Sequence, residues 1–363
     1  MSDPEPAEGE FSCSSPALTE AWHRGKEAVR RFSPPDQFHA LPAAMQRIVA
    51  LAAYQCFRGI LSPALLDRTH ANREDELVRV LAIDDHYTFT GDSLLLRCNY
   101  DRIRLAVGER GLPAGPGAFL AYAALRIAGR LALHVDSKYD SNAFHLRAIE
   151  MKRDLARPAD SPDRLSQALG VAYGVFPAEM SLRLADELFS EPVRAVGDLF
   201  AALLAADIVR RRALERLEGA AREPRFLEGA SPALFSWYLS TRVLGVTPME
   251  PGYRTIGVAP ALGHLAQASG SVPAPAGHVT ASCESRDGAF RADIGIPEGS
   301  LASVSLPVCR KSYPRVSCNG AAVWEENIPL RGGCRGIIDG EIAAGRITFL
   351  VRPGSYAFEQ IES

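Results

Sequence analysis

The residues from Trp237 to Gly277, WYLSTRVLGVTPMEPGYRTIGVAPALGHLAQASGSVPAPAG, constrain this chain more than any other stretch. The run begins as a helix, with apolar Leu239, Val243 and Leu244 at near-helical spacing, and Gly245 follows as a left-handed terminator. Pro248, Pro251 and Gly252 then turn the chain, and from Tyr253 onward apolar and polar residues alternate as in a strand. An α-rich region therefore hands over to a β-rich region at one joint.

The chain has 363 residues, enough for two or three domains of roughly 100–200 residues each. Its 47% apolar and 23% charged content fits a globular protein with sizeable cores. A net charge of −3 argues against nucleic acid as a partner, which calls for a basic stripe. No run approaches the ~20 apolar residues of a membrane span. The opening MSDPEPAEGE is acidic and proline-rich, and residues 1–10 read as a disordered tail without a secretory signal. Seven widely spaced cysteines with no CxxC pair indicate neither zinc nor a disulfide framework. The expected compartment is the cytoplasm, and no metal or cofactor is implied. Oligomeric state is left open.

Residues 11–250 read as a series of helices, at 16–32, 42–60, 62–68, 73–90, 93–109, 117–134, 139–157, 162–174, 177–189, 193–206, 207–218 and 231–245. Ser15-Pro16, Ser62-Pro63, Ser161-Pro162 and Ser231-Pro232 each place a serine cap before a proline at the first helical position. Gly91, Gly111, Gly174 and Gly245 fall near helix ends. Segments 42–60, 117–134 and 193–206 are apolar nearly all round, whereas 139–157 and 207–218 are charged on one face. The first kind must be enclosed and the second kind lies outside, the alternation required by a toroid of six helical hairpins. An irregular helical bundle is the competing arrangement. Residues 251–363 carry short β-rich runs at 254–259, 278–284, 288–295, 301–306, 313–318, 345–351 and 355–361, separated by turn clusters such as Asn319-Gly320. They indicate a C-terminal β-sandwich.

The joint also resembles that of α-L-rhamnosidases, the family-78 glycoside hydrolases, in its Leu-Gly helix end, its Pro251-Gly252-Tyr253 turn and its VAP and VPAPAG runs. Further pieces extend the resemblance: FSCSSPALTEAWHRG at 11–25, YTFTGDSLLL at 87–96, SQALGVAYGVFP at 166–177, IPEGSLASVSLP at 296–307 and GSYAF at 354–358. The resemblance implies an (α/α)6 toroid followed by a C-terminal β-sandwich, without the β domains that usually precede such a barrel. It also implies acid–base hydrolysis of a glycosidic bond. Departures fall where the chemistry would be. The family's early acidic-arginine motif corresponds to Ala40–Tyr54, which holds no carboxylate. Its GATT.WE motif corresponds to Gly219–Pro224, and its SHGWS segment to Leu227–Phe235, which lacks histidine and tryptophan.

In such a toroid the loops entering the inner helices line one pocket. With inner helices starting at 42, 73, 117, 162, 193 and 231, those loops bring forward Glu76, Glu228 and Glu223 as candidate acid and base. Asp36, His39, Arg73 and Glu74, with Trp237 as a stacking surface, are candidate sugar contacts. Inverting hydrolysis requires two carboxyl groups about 6.5–9.5 Å apart, one protonated and one ionised. Each candidate has a plainer reading: Glu76 as a carboxylate favoured by a helix N-terminus, Trp237 as core. The run Asp84-Asp85-His86 cannot chelate a metal well, because neighbours on a helix point about 100° apart, and reads as polar contact with the next hairpin. Two functions follow. One is a rhamnosidase-like glycoside hydrolase using Glu76 and Glu228 on a small-molecule glycoside. The other is a repurposed scaffold that binds a ligand, or carries out a step such as a cyclisation on an apolar natural product, in a cavity near Met45 and Val49.

Overall fold

The computed structural model describes residues 8–41, 43–57, 73–108, 115–156, 164–190, 203, 210–286, 288–308, 314–330 and 332–361. The helical part runs α1 (Pro16–Phe32), α2 (Pro35–His39), α3 (Ala43–Cys56), α4 (Arg73–Thr90), α5 (Ser93–Gly108) and α6 (Pro116–His134). It continues with α7 (Lys138–Leu155), α8 (Arg164–Ala172), α9 (Ala178–Ser190), α10 (Arg210–Ala220) and α11 (Ala233–Tyr238), the last prolonged by a π turn, Leu239–Val243. The segments expected at 62–68 and 193–206, and Gly111, lie outside the described residues apart from helical Leu203.

Local chemistry accounts for most of the boundaries. Ser15 caps α1, its Oγ accepting from the Leu18 N–H at 3.5 Å while its hydroxyl donates to Glu218 at 2.7 Å. Asp92, which was not anticipated as a cap, accepts from the Leu95 N–H at 2.9 Å and starts α5. At α11 the expected Ser231 cap gives way. The cap position is Pro232, and the Ser231 N–H instead donates to Glu228 O in a tight turn. Gly245 ends the π turn at φ +74, and a Cβ there would meet Ala259 carbonyl carbon at 2.2 Å.

Burial sorts the helices into two rings. α3, α4, α6, α8 and α11 are enclosed along most of their length, whereas α5 and α7 bury one face each. The enclosed helices pack in the order α11–α3–α4–α6–α8, and α1, α5, α7 and α9 lie against them from outside. The result is the (α/α)6 toroid followed by a β domain. α4 joins the inner ring although its sequence is not apolar all round. It buries Arg79, Asp84 and His86 beside Leu77, Val80, Leu81 and Ile83.

Thirteen strands form the β part among the described residues. An eight-stranded sheet has the order β1-β4-β5-β6-β13-β8-β9-β10, and a five-stranded sheet the order β11-β12-β7-β3-β2. Here β1 is Glu10–Cys13, β2 Val246–Pro248, β3 Thr255–Val258, β4 Gln267–Ala274, β5 Gly277–Arg286, β6 Ala289–Ile296 and β7 Leu301–Pro307. The others are β8 Arg315–Cys318, β9 Ala321–Glu325, β10 Ile328–Pro329, β11 Ile337–Ala343, β12 Arg346–Val351 and β13 Gly354–Ile361. The sheets face each other through alternating apolar residues, with Phe349 of β12 stacked on Phe358 of β13 at 5.3 Å between ring centres.

Residues 8–10, expected within a disordered tail, are ordered, and residues 1–7 lie outside the described residues. Gly9 N–H donates to Cys56 O at 2.7 Å, Glu8 reaches Lys26 at 2.7 Å, and Glu10 begins the edge strand β1, paired with Ser271. Exposed backbone beside an open sheet edge and a helix end finds partners in both. The chain before 250 thus supplies two strands to the β part, β1 and β2. The joint is packed as well: Phe89 of α4 lies 6.0 Å from the Tyr253 ring, and Gly252 sits against Thr90 and Gly91.

Candidate functional site

Of the inner helices, α3, α4, α6 and α8 run parallel. Tyr54–His86, Asp84–Arg130 and Arg126–Tyr173 each join the C-terminal half of one inner helix to the C-terminal half or end of the next. The N-terminal ends of these helices therefore share one mouth. Glu76, Arg73 and Glu74 occupy the first turn of α4, Asp36 and His39 lie on α2 just ahead of α3, and Glu223 and Glu228 lie in the connection into α11. Glu76 is 3.7 Å from buried Arg79. Glu223 is exposed and pairs with Arg225 at 2.7 Å, and Glu228, Glu74 and Asp36 are exposed too. Trp237 is buried at 5% exposure, edge-on to Tyr238, so it serves as core and offers no open face for sugar stacking. Met45 and Val49 pack in the core.

Among the described residues, the ion pairs of the ring interior come from positions outside those loops. Arg47 of α3 donates to both oxygens of Asp85 on α4, at 2.7 and 3.3 Å, and to the Tyr173 hydroxyl at 3.4 Å. Since α3 and α8 are separated in the ring by α4 and α6, the link from Arg47 to Tyr173, just past α8, spans the lumen. Burial acts to lower the Arg47 pKa, but the Asp85 carboxylate more than offsets it and the guanidinium stays charged. Next to this bridge the Tyr54 hydroxyl shares a hydrogen bond with His86 Nδ1 at 2.9 Å, and the Tyr54 ring stacks on Phe89 at 4.9 Å. Burial pushes the Tyr54 phenol up and His86 down, although Asp92 at 3.7 Å draws His86 back.

Asp84 points the other way around α4, as adjacent helical positions must. Arg130 of α6 reaches both of its oxygens at 2.5 Å. Burial raises the Asp84 carboxyl to about 6, with Arg130 opposing. The pair opens on a pocket of about 580 Å³ whose wall includes Arg126, Asn142, His145 and Tyr173. Arg126 is anchored by Tyr173 O at 3.1 Å. The pocket thus offers two guanidinium groups, an imidazole and an amide around one carboxyl. Among the described residues, no group of three or more His, Cys, Asp and Glu is arranged to hold a metal ion. No helix there is long and apolar enough to cross a membrane.

Residues 245–319 match the family model of the bacterial alpha-L-rhamnosidase C-terminal domain. The α-L-rhamnosidase of Dictyoglumus thermophilum superposes with a TM-score of 0.73 at 14% identity, covering 98% of this chain and 51% of its own. The Streptomyces avermitilis α-L-rhamnosidase, solved with L-rhamnose, gives 0.74 at 14% identity over 98% of this chain and 42% of that one. The chain has the fold of the α-L-rhamnosidases. A family-78 rhamnosidase of Bacillus sp. GL1 gives 0.71 at 18% identity, covering 83% and 43%. This chain spans about half the length of these solved structures. No curated protein matches its sequence. The resemblance carried by the joint and the scattered motifs is borne out at the level of the fold and of the C-terminal domain.

Sequence reasoning passed over Arg47, Arg130, Arg126 and Tyr173. One signal was available for Arg47, the single charged residue of the mostly apolar α3. Arg126 and Arg130 also interrupt 117–134, on its exposed side. A charge enclosed by apolar neighbours needs a partner, and Asp84 and Asp85 were the enclosed carboxylates able to supply one.

Proposed function

We propose that this chain is a rhamnosidase scaffold turned to binding a small polar molecule, a glycoside or a related natural product, without glycosidic hydrolysis. The observation that supports this reading is the state of the interior acids. Asp85 is held by Arg47 and Asp84 by Arg130, so neither faces a bound sugar as a free base, and they point apart. Inverting hydrolysis calls for two carboxyl groups on opposite sides of one bond. The ligand sits in the pocket of Arg126, Arg130, Asn142 and His145, in a reducing, cytoplasmic setting and with neither nucleic acid nor membrane as partner. The test combines incubation with an aryl α-L-rhamnoside and thermal melting in the presence of L-rhamnose, glucuronate and a neutral disaccharide. The expected result is no aryl alcohol released, and a melting shift from at least one sugar that Arg130→Gln abolishes. Aryl release, or a shift unaffected by Arg130→Gln, would refute it.

The second reading is hydrolysis at the mouth by Glu76 and Glu228. It is supported by one observation: Glu76 lies in the first turn of α4 and Glu228 in the connection into α11, each beside the start of an inner helix. If aryl rhamnoside is cleaved, Glu76→Gln and Glu228→Gln each lower kcat by at least about 100-fold, the ordinary contribution of a positioned acid or base. Unchanged activity in both variants excludes the pair.

A further inference from the structure

Cys318 ends β8, fully buried, and Cys334 lies half-buried in the segment before β11. Their Sγ atoms are 2.9 Å apart, with both thiols free. That leaves roughly 0.9 Å to the length of a covalent S–S bond. The segment between them carries β9 and β10, folded back on β8, and Asn319 fixes its start. The Asn319 Oδ1 accepts from Ala357 N–H at 2.8 Å, and its Nδ2 donates to Ser355 O at 3.3 Å and approaches Cys334 Sγ at 3.6 Å. Both sulfurs are thus held by ordered backbone, and bond formation asks for a small side-chain movement rather than a rearrangement of the sheet.

We infer that Cys318 and Cys334 form a reversible disulfide when the protein meets a low-molecular-weight disulfide such as oxidised glutathione. Cys334 is the sulfur such a molecule can reach. Its thiolate attacks one sulfur of the small disulfide, forming a mixed disulfide and expelling one thiolate, which takes up the proton Cys334 released. Cys318 then attacks the Cys334 sulfur, the second small thiolate leaves, and it takes the Cys318 proton. Two protein thiols are oxidised and one small disulfide is reduced to two thiols. Burial and the neighbouring Cys334 hold the Cys318 thiol well above its usual range, which fits its role as the second, resolving sulfur. The bond closes the loop around β9 and β10 and pins the Asn319 turn beside β13.

The folded full-length chain is incubated with oxidised glutathione, its free thiols are alkylated, and a non-reducing digest is read by mass spectrometry. The expected result is two fewer alkylated thiols per chain and a peptide pair joining Cys318 to Cys334, lighter than the sum of its reduced peptides by about 2 Da. Dithiothreitol restores both thiols. In Cys334→Ser the cross-link disappears and Cys318 resists both glutathione and alkylation until the chain is unfolded. Glutathione retained on Cys334 with Cys318 still free, a bond from either cysteine to another, or an unchanged thiol count would each overturn the inference. Because the half-exposed position is the one replaced, the variant folds, which its circular dichroism checks. The outcome is independent of whether the barrel hydrolyses or binds sugars.

Discussion

Replacing Arg47 by methionine tests the reading of the ring interior. Arg47 and Asp85 are 12% and 15% exposed and meet through two hydrogen bonds, so the substitution leaves a carboxylate in the lumen with no counter-charge. Two unit charges at about 4 Å interact by about 4 kcal/mol at an effective dielectric near 20. Breaking buried pairs by removing one partner costs about 3–5 kcal/mol. Arg47→Met is therefore expected to lose about 4 kcal/mol, a large share of the 5–15 kcal/mol typical of a folded domain. Tm falls by roughly 10 °C. The double variant Arg47→Met, Asp85→Leu removes both charges and keeps the volume, and is expected within about 1–2 kcal/mol of the native chain. Urea denaturation followed by far-UV circular dichroism measures all three. If Arg47→Met costs under about 1 kcal/mol, or the double variant is as unstable as the single, the lumen-spanning bridge is not what organises the interior.

Other consequences concern single groups. Burial raises the Asp84 carboxyl to about 6 from 3.8, so between those values the native state binds a proton the unfolded chain has lost. Stability is expected to fall as pH rises from about 4 to 6, and Asp84→Asn to flatten that part of a denaturation series; an identical slope in the variant would show that the proton resides elsewhere. Gly245→Ala forces a side chain into φ +74 and against Ala259, with an expected loss of at least about 1–3 kcal/mol by chemical denaturation. Trp22→Phe removes the indole N–H that donates to Ser240 Oγ at 3.0 Å in a fully buried site, and about 1–3 kcal/mol should go with it.

Periodicity and punctuation made the helices legible. The limits of α4 agree with the expected 73–90, because its apolar repeat is flanked by an acidic first turn and by Gly91. Strand β4 was missed: QASGSVPA reads as turn composition, yet its small residues are what let β1 lie beside it. A Cβ on Gly270 would meet Glu10 O at 2.2 Å. Strand β1 was missed for a different reason: its partner lies more than two hundred residues away, and pairing of that kind leaves no local trace. At Ser231 the local rule was outweighed, because a turn already claimed its backbone.

The site was less legible than the fold, and the reason is geometric. Asp84 and Asp85 are neighbours in sequence, yet one is paired from α6 and the other from α3, so their roles depend on the ring being closed. A barrel built to cleave a glycosidic bond keeps its central carboxyls available to the substrate and accepts the electrostatic cost of doing so. Here Asp84 and Asp85 are each matched by a guanidinium, and one of those guanidinium groups also reaches across the lumen to Tyr173. Such a bridge holds α3, α4 and the end of α8 in one register. Asp85 with Arg47 thus faces the lumen, while Asp84 with Arg130 opens onto the lateral pocket.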